Sequence, residues 1–179
     1  MMDTFLIDCE QELIKGYSKK HHPFRYFTLA TQGKELKQRT VVLRKLLPDF
    51  TVVFFTDARS SKIASIQENE SVSALFYHPK KLLQIQISGT AKRISDPLKI
   101  KEYWSSVGEN AKKDYTTTSA PGSPIKNPDH IEYDFEQNYF SPIEIIPSSI
   151  ECLQLKRPNH LRVLYTKENE KWTGQFLTP

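Results

Sequence analysis

Phe5, Cys9, Leu13 and Tyr17 recur at four-residue spacing with Leu6 and Ile14 beside them, a stripe that predicts an amphipathic helix over 5–17. After His21-His22-Pro23 the pattern shortens to β-branched and aromatic runs at 24–31, 39–46, 50–56, 71–78 and 82–94, each the length of a strand. Within the last run Leu83, Ile85 and Ile87 alternate with Gln84, Gln86 and Ser88, so one face is apolar and the other carries two amides. Two helices interrupt the strands. One follows Asp57 and Ser60, whose oxygens suit caps, and runs to about 69 with Ile63 and Ile66 inward. The other opens on Asp96-Pro97 and turns Ile100, Tyr103 and Trp104 toward the core. Residues 108–134 are rich in Pro, Gly, Thr and Ser and read as a long loop. Strands are predicted again at 140–146 and, beyond Pro147, at 150–155, followed by a hairpin of 161–165 and 171–176 turning at 167–170. The sum is a mainly β fold with peripheral helices, an antiparallel sheet of six or more strands closing on itself.

Composition narrows the class. A chain of 179 residues with 38% hydrophobic positions suits one domain over 1–179 with a real core. An aromatic content of 11% argues against global disorder, and 11 prolines against 6 glycines without a repeat exclude collagen-like and linker sequences. No apolar run approaches the roughly 18–20 residues of a membrane span, and the first ten residues carry neither a basic leader nor a small-residue cleavage site. No membrane partner and a cytoplasmic location are therefore expected. Cys9 and Cys152 have no Cys or His partner at zinc spacing and read as reduced packing residues. The net charge of +4 is spread over several short clusters, so no nucleic-acid partner is expected.

The strongest local chemistry lies in Arg39-Thr40-Val41-Val42-Leu43-Arg44 and, one strand later, Phe54-Phe55-Thr56-Asp57-Ala58-Arg59-Ser60-Ser61-Lys62. An arginine on one strand, with hydroxyls, Arg59 and Lys62 around a helix start, would bring cations and free amides to one point. That is an anion site suited to a phosphate monoester. The same residues also read as a capped helix with solvated surface charge. Gln84, a carboxamide that both donates and accepts, suits the amide-like edge of a planar heterocycle, or simply the wet face of a sheet. No Gly-x-Ser-x-Gly, His-Glu-x-x-His, Gly-x-Gly-x-x-Gly or P-loop sequence occurs. The histidines at 21, 22, 78, 130 and 160 form no metal pair on a recognisable helix, and no metal is assigned.

Over nearly its whole length the chain resembles the pyridoxamine 5′-phosphate oxidase family. The resemblance is carried by Arg39 to Arg44, by Phe55-Thr56-Asp57 to Lys62, by Gln84 ahead of Ser88-Gly89, and by Asn159-His160-Leu161-Arg162 through Trp172 to the terminal Leu177-Thr178-Pro179. It implies an antiparallel, Greek-key-like split β-barrel that binds FMN, as a homodimer with FMN at the subunit interface. By position, Arg39, Thr40, Val41, Val42, Leu43 and Arg44 would line the ribityl chain and ring. Phe55, Thr56, Ser60, Ser61 and Lys62 would cradle the phosphate, with Arg39 assisting. Gln84 would face the pyrimidine edge, and Arg162 would reach the ring from the C-terminal hairpin.

Departures from the family pattern redirect the reading. The oxidases carry Arg at Ser61 and Trp at Leu153, and Arg59 is expected to replace the lost charge. Their substrate-phosphate pattern of Tyr, Arg and Ser is reduced here to Tyr103, Val107 and Ala111. His160 is in place, but Pro158 stands where an arginine is expected, with Arg157 one residue off. Loss of charged hydrogen bonds worth about 1.5–3 kcal/mol each should cripple binding of pyridoxine phosphate. The expectation is thus an FMN-dependent oxidoreductase acting on a different small molecule, with His160 and Arg44 as substrate contacts. The alternative is a non-catalytic FMN-binding sensor or stress-response module.

Overall fold

A computed structural model describes residues 1–179. Helix α1 (Met2–Ser18) leads into a short 3-10 turn, Pro23–Arg25, and then the hairpin β1 (Tyr26–Gln32) and β2 (Leu36–Val42). Next come β3 (Lys45–Leu46), β4 (Val52–Asp57), α2 (Ser61–Glu68), β5 (Ser71–His78) and β6 (Leu83–Arg93). Helices α3 (Pro97–Ser106) and α4 (Glu109–Lys112) precede β7 (Phe140–Gln154), β8 (Leu161–Glu168) and β9 (Lys171–Phe176). All strands join one antiparallel nine-stranded sheet in the order β2-β1-β5-β6-β7-β4-β3, with β8 on β7 and β9 on β8. The sheet curls into a half-barrel, and no helix is long and apolar enough to cross a membrane.

Alternation sorts the strands around one apolar interior. Phe27 and Leu29 on β1, Ala74 and Phe76 on β5, Ile85 and Ile87 on β6, and Ile150 and Cys152 on β7 are all buried in a cluster of 26 residues. Phe27 and Phe76 stack at 4.8 Å between ring centroids, a contact worth roughly 0.5–1.5 kcal/mol beyond its buried area. The apolar stripe of α1 delivers Phe5, Cys9 and Leu13 to this cluster, and α2 delivers Ile63 and Ile66. Outside β4 a smaller cluster forms, where Val53 and Phe140 meet Tyr103, Val107 and Tyr115. As expected from Asp96-Pro97, the Asp96 carboxylate accepts from Leu98 N at 2.9 Å and starts α3.

Three departures from the sequence pattern have local causes. The run 39–46 is two strands, because the chain leaves β2 after Val42 and the Arg44 amide donates to Val53 O. The segment 108–134 is not a plain loop: it holds α4, and Thr117 bridges Tyr133. Pro147 does not end a strand either. β7 runs through it because the register against β6 shifts at Ser88/Gly89, a bulge that absorbs the missing amide. Gly89 makes this possible, since a Cβ there would collide with the Ile146 carbonyl and lie 2.8 Å from Pro147 Cα. Gly89→Ala is accordingly expected to cost about 1–3 kcal/mol, read as a lower urea midpoint; an unchanged midpoint would show that the bulge yields.

Candidate functional site

Residue parity on β2 divides the first motif. Arg39 pairs with Leu29, and Leu29 with Ala74, so Arg39 continues a core row and leans over the end of the barrel. The Val41 and Leu43 side chains are buried in the core. Thr40 and Val42 take the opposite face. At the barrel end the Arg39 Nη1 donates to Thr31 Oγ1 at 2.7 Å and to Lys37 O at 3.1 Å.

Lys62, in the first turn of α2, approaches from the other side. Its Nζ donates to Thr56 Oγ1 at 2.9 Å, and Thr56 Oγ1 shares a hydrogen bond of 3.2 Å with Ser60 Oγ. Burial pushes the Lys62 ammonium below its ordinary range, the Arg39 guanidinium lowers it further, and Asp57 opposes both. Burial also lowers Arg39. The hydrogen bonds of both cations go to hydroxyls and a carbonyl, and none to a carboxylate. Ser60 is the N-cap of α2 but its side chain makes no capping bond, which corrects the simple capping reading. The first turn of α2, beginning at Ser61, therefore presents amides without a side-chain acceptor.

Arg59 makes its contacts away from this cluster. Its guanidinium donates to both Asp57 carboxylate oxygens, through Nε at 3.1 Å and Nη2 at 2.7 Å. It lies 3.3 Å from the Tyr139 ring centroid and donates to Thr117 O at 2.9 Å and Thr118 O at 3.2 Å. The hydrogen bond to Asp57 raises its pKa, so it stays charged. Arg59 thus neutralises a buried carboxylate and pins the segment after α4. Only the Asp57 contact lies close enough in sequence to have been read from it; Tyr139 and Thr117 are brought in by the fold.

Arg44 lies apart from the cradle contacts. Its guanidinium carbon is 5.4 Å from the Phe55 ring centroid, and its Nε is buried without a partner. Burial raises the pKa of the neighbouring Tyr115, and Arg44 opposes that shift. Phe55 itself packs on Phe140 at 4.9 Å and Tyr103 at 5.5 Å.

Gln84 and Arg162 share another surface. Gln84 pairs with Tyr77 and Leu153, and Leu153 with Arg162, forming a row on the outer face of the sheet, opposite to Ile85 and Ile87. Arg162 donates to Glu151 Oε1 through Nε at 3.0 Å. His160 is exposed, its Nδ1 accepting from Lys156 N at 3.1 Å.

Residues 8–95 match the family model for pyridoxamine 5′-phosphate oxidase, FMN-binding domain. A pyridoxine/pyridoxamine 5′-phosphate oxidase of Psychrobacter cryohalolentis is 29% identical over 167 residues, covering 84% of this chain and 76% of that protein. Among solved structures, a pyridoxamine 5′-phosphate oxidase-related, FMN binding protein of Nostoc punctiforme has a TM-score of 0.79 at 23% identity, covering 96% of this chain and 95% of its own. PhzG of Burkholderia lata, in complex with tetrahydrophenazine-1-carboxylic acid, reaches 0.74 at 17% identity, covering 99% and 90%. At these identities the two structures share the fold.

Replacing Arg59 by Lys keeps the charge but loses the planar fork. Trypsin cleavage after Lys126 is expected to accelerate about tenfold, the equivalent of one charge-assisted hydrogen bond. An unchanged cleavage rate would show that Arg59 does not hold the segment.

Proposed function

We propose that the chain, which matches the FMN-binding domain of pyridoxamine 5′-phosphate oxidase over residues 8–95 and shares the fold of an FMN-binding relative, binds FMN at the Arg39–Lys62 cradle and works as an FMN-dependent oxidoreductase on a small molecule. One observation carries this reading. Two cations with no carboxylate partner converge beside the Thr56 and Ser60 hydroxyls at an uncapped helix start. A phosphate monoester carries about −1.5 to −2 near neutral pH, which matches that charge and those donors.

Bound FMN supplies two-electron exchange at its isoalloxazine ring. The chain's part is to hold and orient it. Arg39, Lys62 and the amides of Ser61 and Lys62 grip the phosphate; a cofactor anchored there meets Gln84 by passing over the barrel end onto the outer face. The Gln84 carboxamide can both donate to and accept from the pyrimidine edge. That outer face also carries Tyr26 and Tyr77, which are 56% and 50% exposed. A second copy laid on this face would cover them and enclose the ring, with Arg162 reaching it, which supports a homodimer as the active form. Arg44, a mostly buried cation with an unpartnered Nε, would meet an anionic group of the substrate, and His160 would approach from the C-terminal hairpin.

Protein purified without added cofactor is expected to be yellow, or to quench flavin fluorescence when titrated with FMN. A colourless protein that FMN neither binds nor stabilises thermally would end the reading. Anaerobic reduction by a nicotinamide nucleotide, followed by reoxidation with oxygen or small acceptors, tests turnover. Binding with no turnover by any of them favours a sensor or stress-response module instead.

Lys62→Ala is expected to weaken FMN by roughly 10–100-fold, the equivalent of about 1.5–3 kcal/mol for a charged hydrogen bond, while riboflavin, which lacks the phosphate, is affected far less. Equal losses for both ligands would contradict a phosphate role for Lys62.

A further inference from the structure

Away from the cradle, three residues far apart in sequence meet beneath α1. Glu12, 4% exposed, lies with His22 of the 3-10 turn and His78 at the end of β5. The Glu12 Oε1 accepts from Lys15 Nζ at 2.6 Å and from Lys81 Nζ at 2.7 Å. Its Oε2 lies 3.2 Å from His22 Nε2 and 4.0 Å from His78 Nε2. The two imidazoles meet edge to face, with centroids 5.3 Å apart.

Two histidines and a glutamate form a metal-ligand set in composition, but the backbone assigns their protons otherwise. Phe24 N donates to His22 Nδ1 at 3.2 Å, and Lys81 N donates to His78 Nδ1 at 3.3 Å. Each Nδ1 therefore keeps its lone pair, and each neutral ring carries its proton on Nε2, facing Glu12. A metal bound at Nε2 would drive that proton onto Nδ1, against an amide hydrogen. Lys15 and Lys81 already neutralise the carboxylate, which leaves little attraction for a further cation.

The same geometry resists acid. A second proton on either ring must take the Nδ1 lone pair and so break the amide bond that shapes the 3-10 turn or the turn after β5. We propose that Glu12, His22 and His78 form an acid-released latch that holds α1 against the barrel. The charged and titratable groups around it are Asp8 and Lys15 on α1, Lys19, Lys20 and His21 between α1 and the turn, and Lys80 and Lys81 after β5. Lysines dominate this set, so protonated imidazoles would add to positive charge. Burial lowers His78 from its ordinary value, His22 and Lys81 lower it further, and Glu12 opposes them. For Glu12, burial raises its pKa, but the hydrogen bonds and charges of Lys15 and Lys81 outweigh it and bring it to about 2, so the carboxylate stays ionised while His78 titrates. Below about pH 6.5 the unfolded chain takes up a proton on His78 that the latched state refuses. The contribution of His78 is thus complete above that pH and is lost as pH falls through its lowered folded value.

The test is amide hydrogen exchange in α1 at pH 7.5 and 5.5, corrected for intrinsic exchange. The open fraction of α1 is expected to rise several-fold in the wild type at the lower pH. In the double variant His22→Asn, His78→Asn, each Asn oxygen keeps an acceptor for the amide and nothing titrates, so that rise should vanish. An equal rise in the double variant would overturn the latch. So would stabilisation of the wild type by added Zn2+ that Glu12→Gln abolishes. If the double variant does not fold, imidazole nitrogen NMR of the wild type decides: lone pairs on both Nδ1 atoms support the latch, and protons there refute it.

Discussion

Arg39 and Lys62 repel one another across the barrel end, and the fold gives them hydroxyls in place of a countercharge. Like charges brought together out of water are unfavourable, so the arrangement stores an unsatisfied demand for an anion. The Asp57 carboxylate, which acts on Lys62, does not meet it. Asp57 sits on the opposite side of β4 from Thr56, and both its oxygens are taken by Arg59. Arg59 therefore serves the cradle indirectly, by cancelling a negative charge that would otherwise lower the local potential.

The barrel explains how such a pair can be held. A sheet that closes around one apolar interior sends alternate residues in and out, and Arg39 occupies an inward position close to where the interior ends. Its aliphatic stem follows the core row while its guanidinium emerges at the edge. Lys62 reaches the same point because α2 is seated by Ile63 and Ile66, the two residues that follow it on the buried side of the helix. Packing of apolar groups thus fixes the position of charged ones.

Legibility in the sequence followed the range of the interactions involved. The strands, α2 and the capped start of α3 were readable because period-2 and period-3.6 patterns and an Asp-Pro start are local signals. The wet face bearing Gln84 was readable for the same reason. The continuity of β7 through Pro147 was not, because the accommodation lies on another strand, at Gly89. The capture of Arg59 by Tyr139 and Thr117 depends on about sixty to eighty residues of intervening fold. Glu12, His22 and His78 are likewise joined by topology alone. The division of Arg39 to Arg44 between two faces was implicit in strand alternation, but only the pairing of Arg39 with Leu29 shows which face is inward.

The irregularity opposite Gly89 also separates two neighbourhoods of β7. Before it, Phe140 to Ile145 lie against β4; after it, Ser149 to Gln154 lie against β8. One extra residue, Ser148, is taken up by the bulge, so that both halves still face a single interior. Excising it would leave Pro147 opposite Gly89 and Ser149 opposite Ser88 in plain alternation, with Ile150 and Cys152 still inward and Glu151 still outward. Length at this one peptide is thus a place where the sheet has slack: the residue can be lost without turning either half of the strand over.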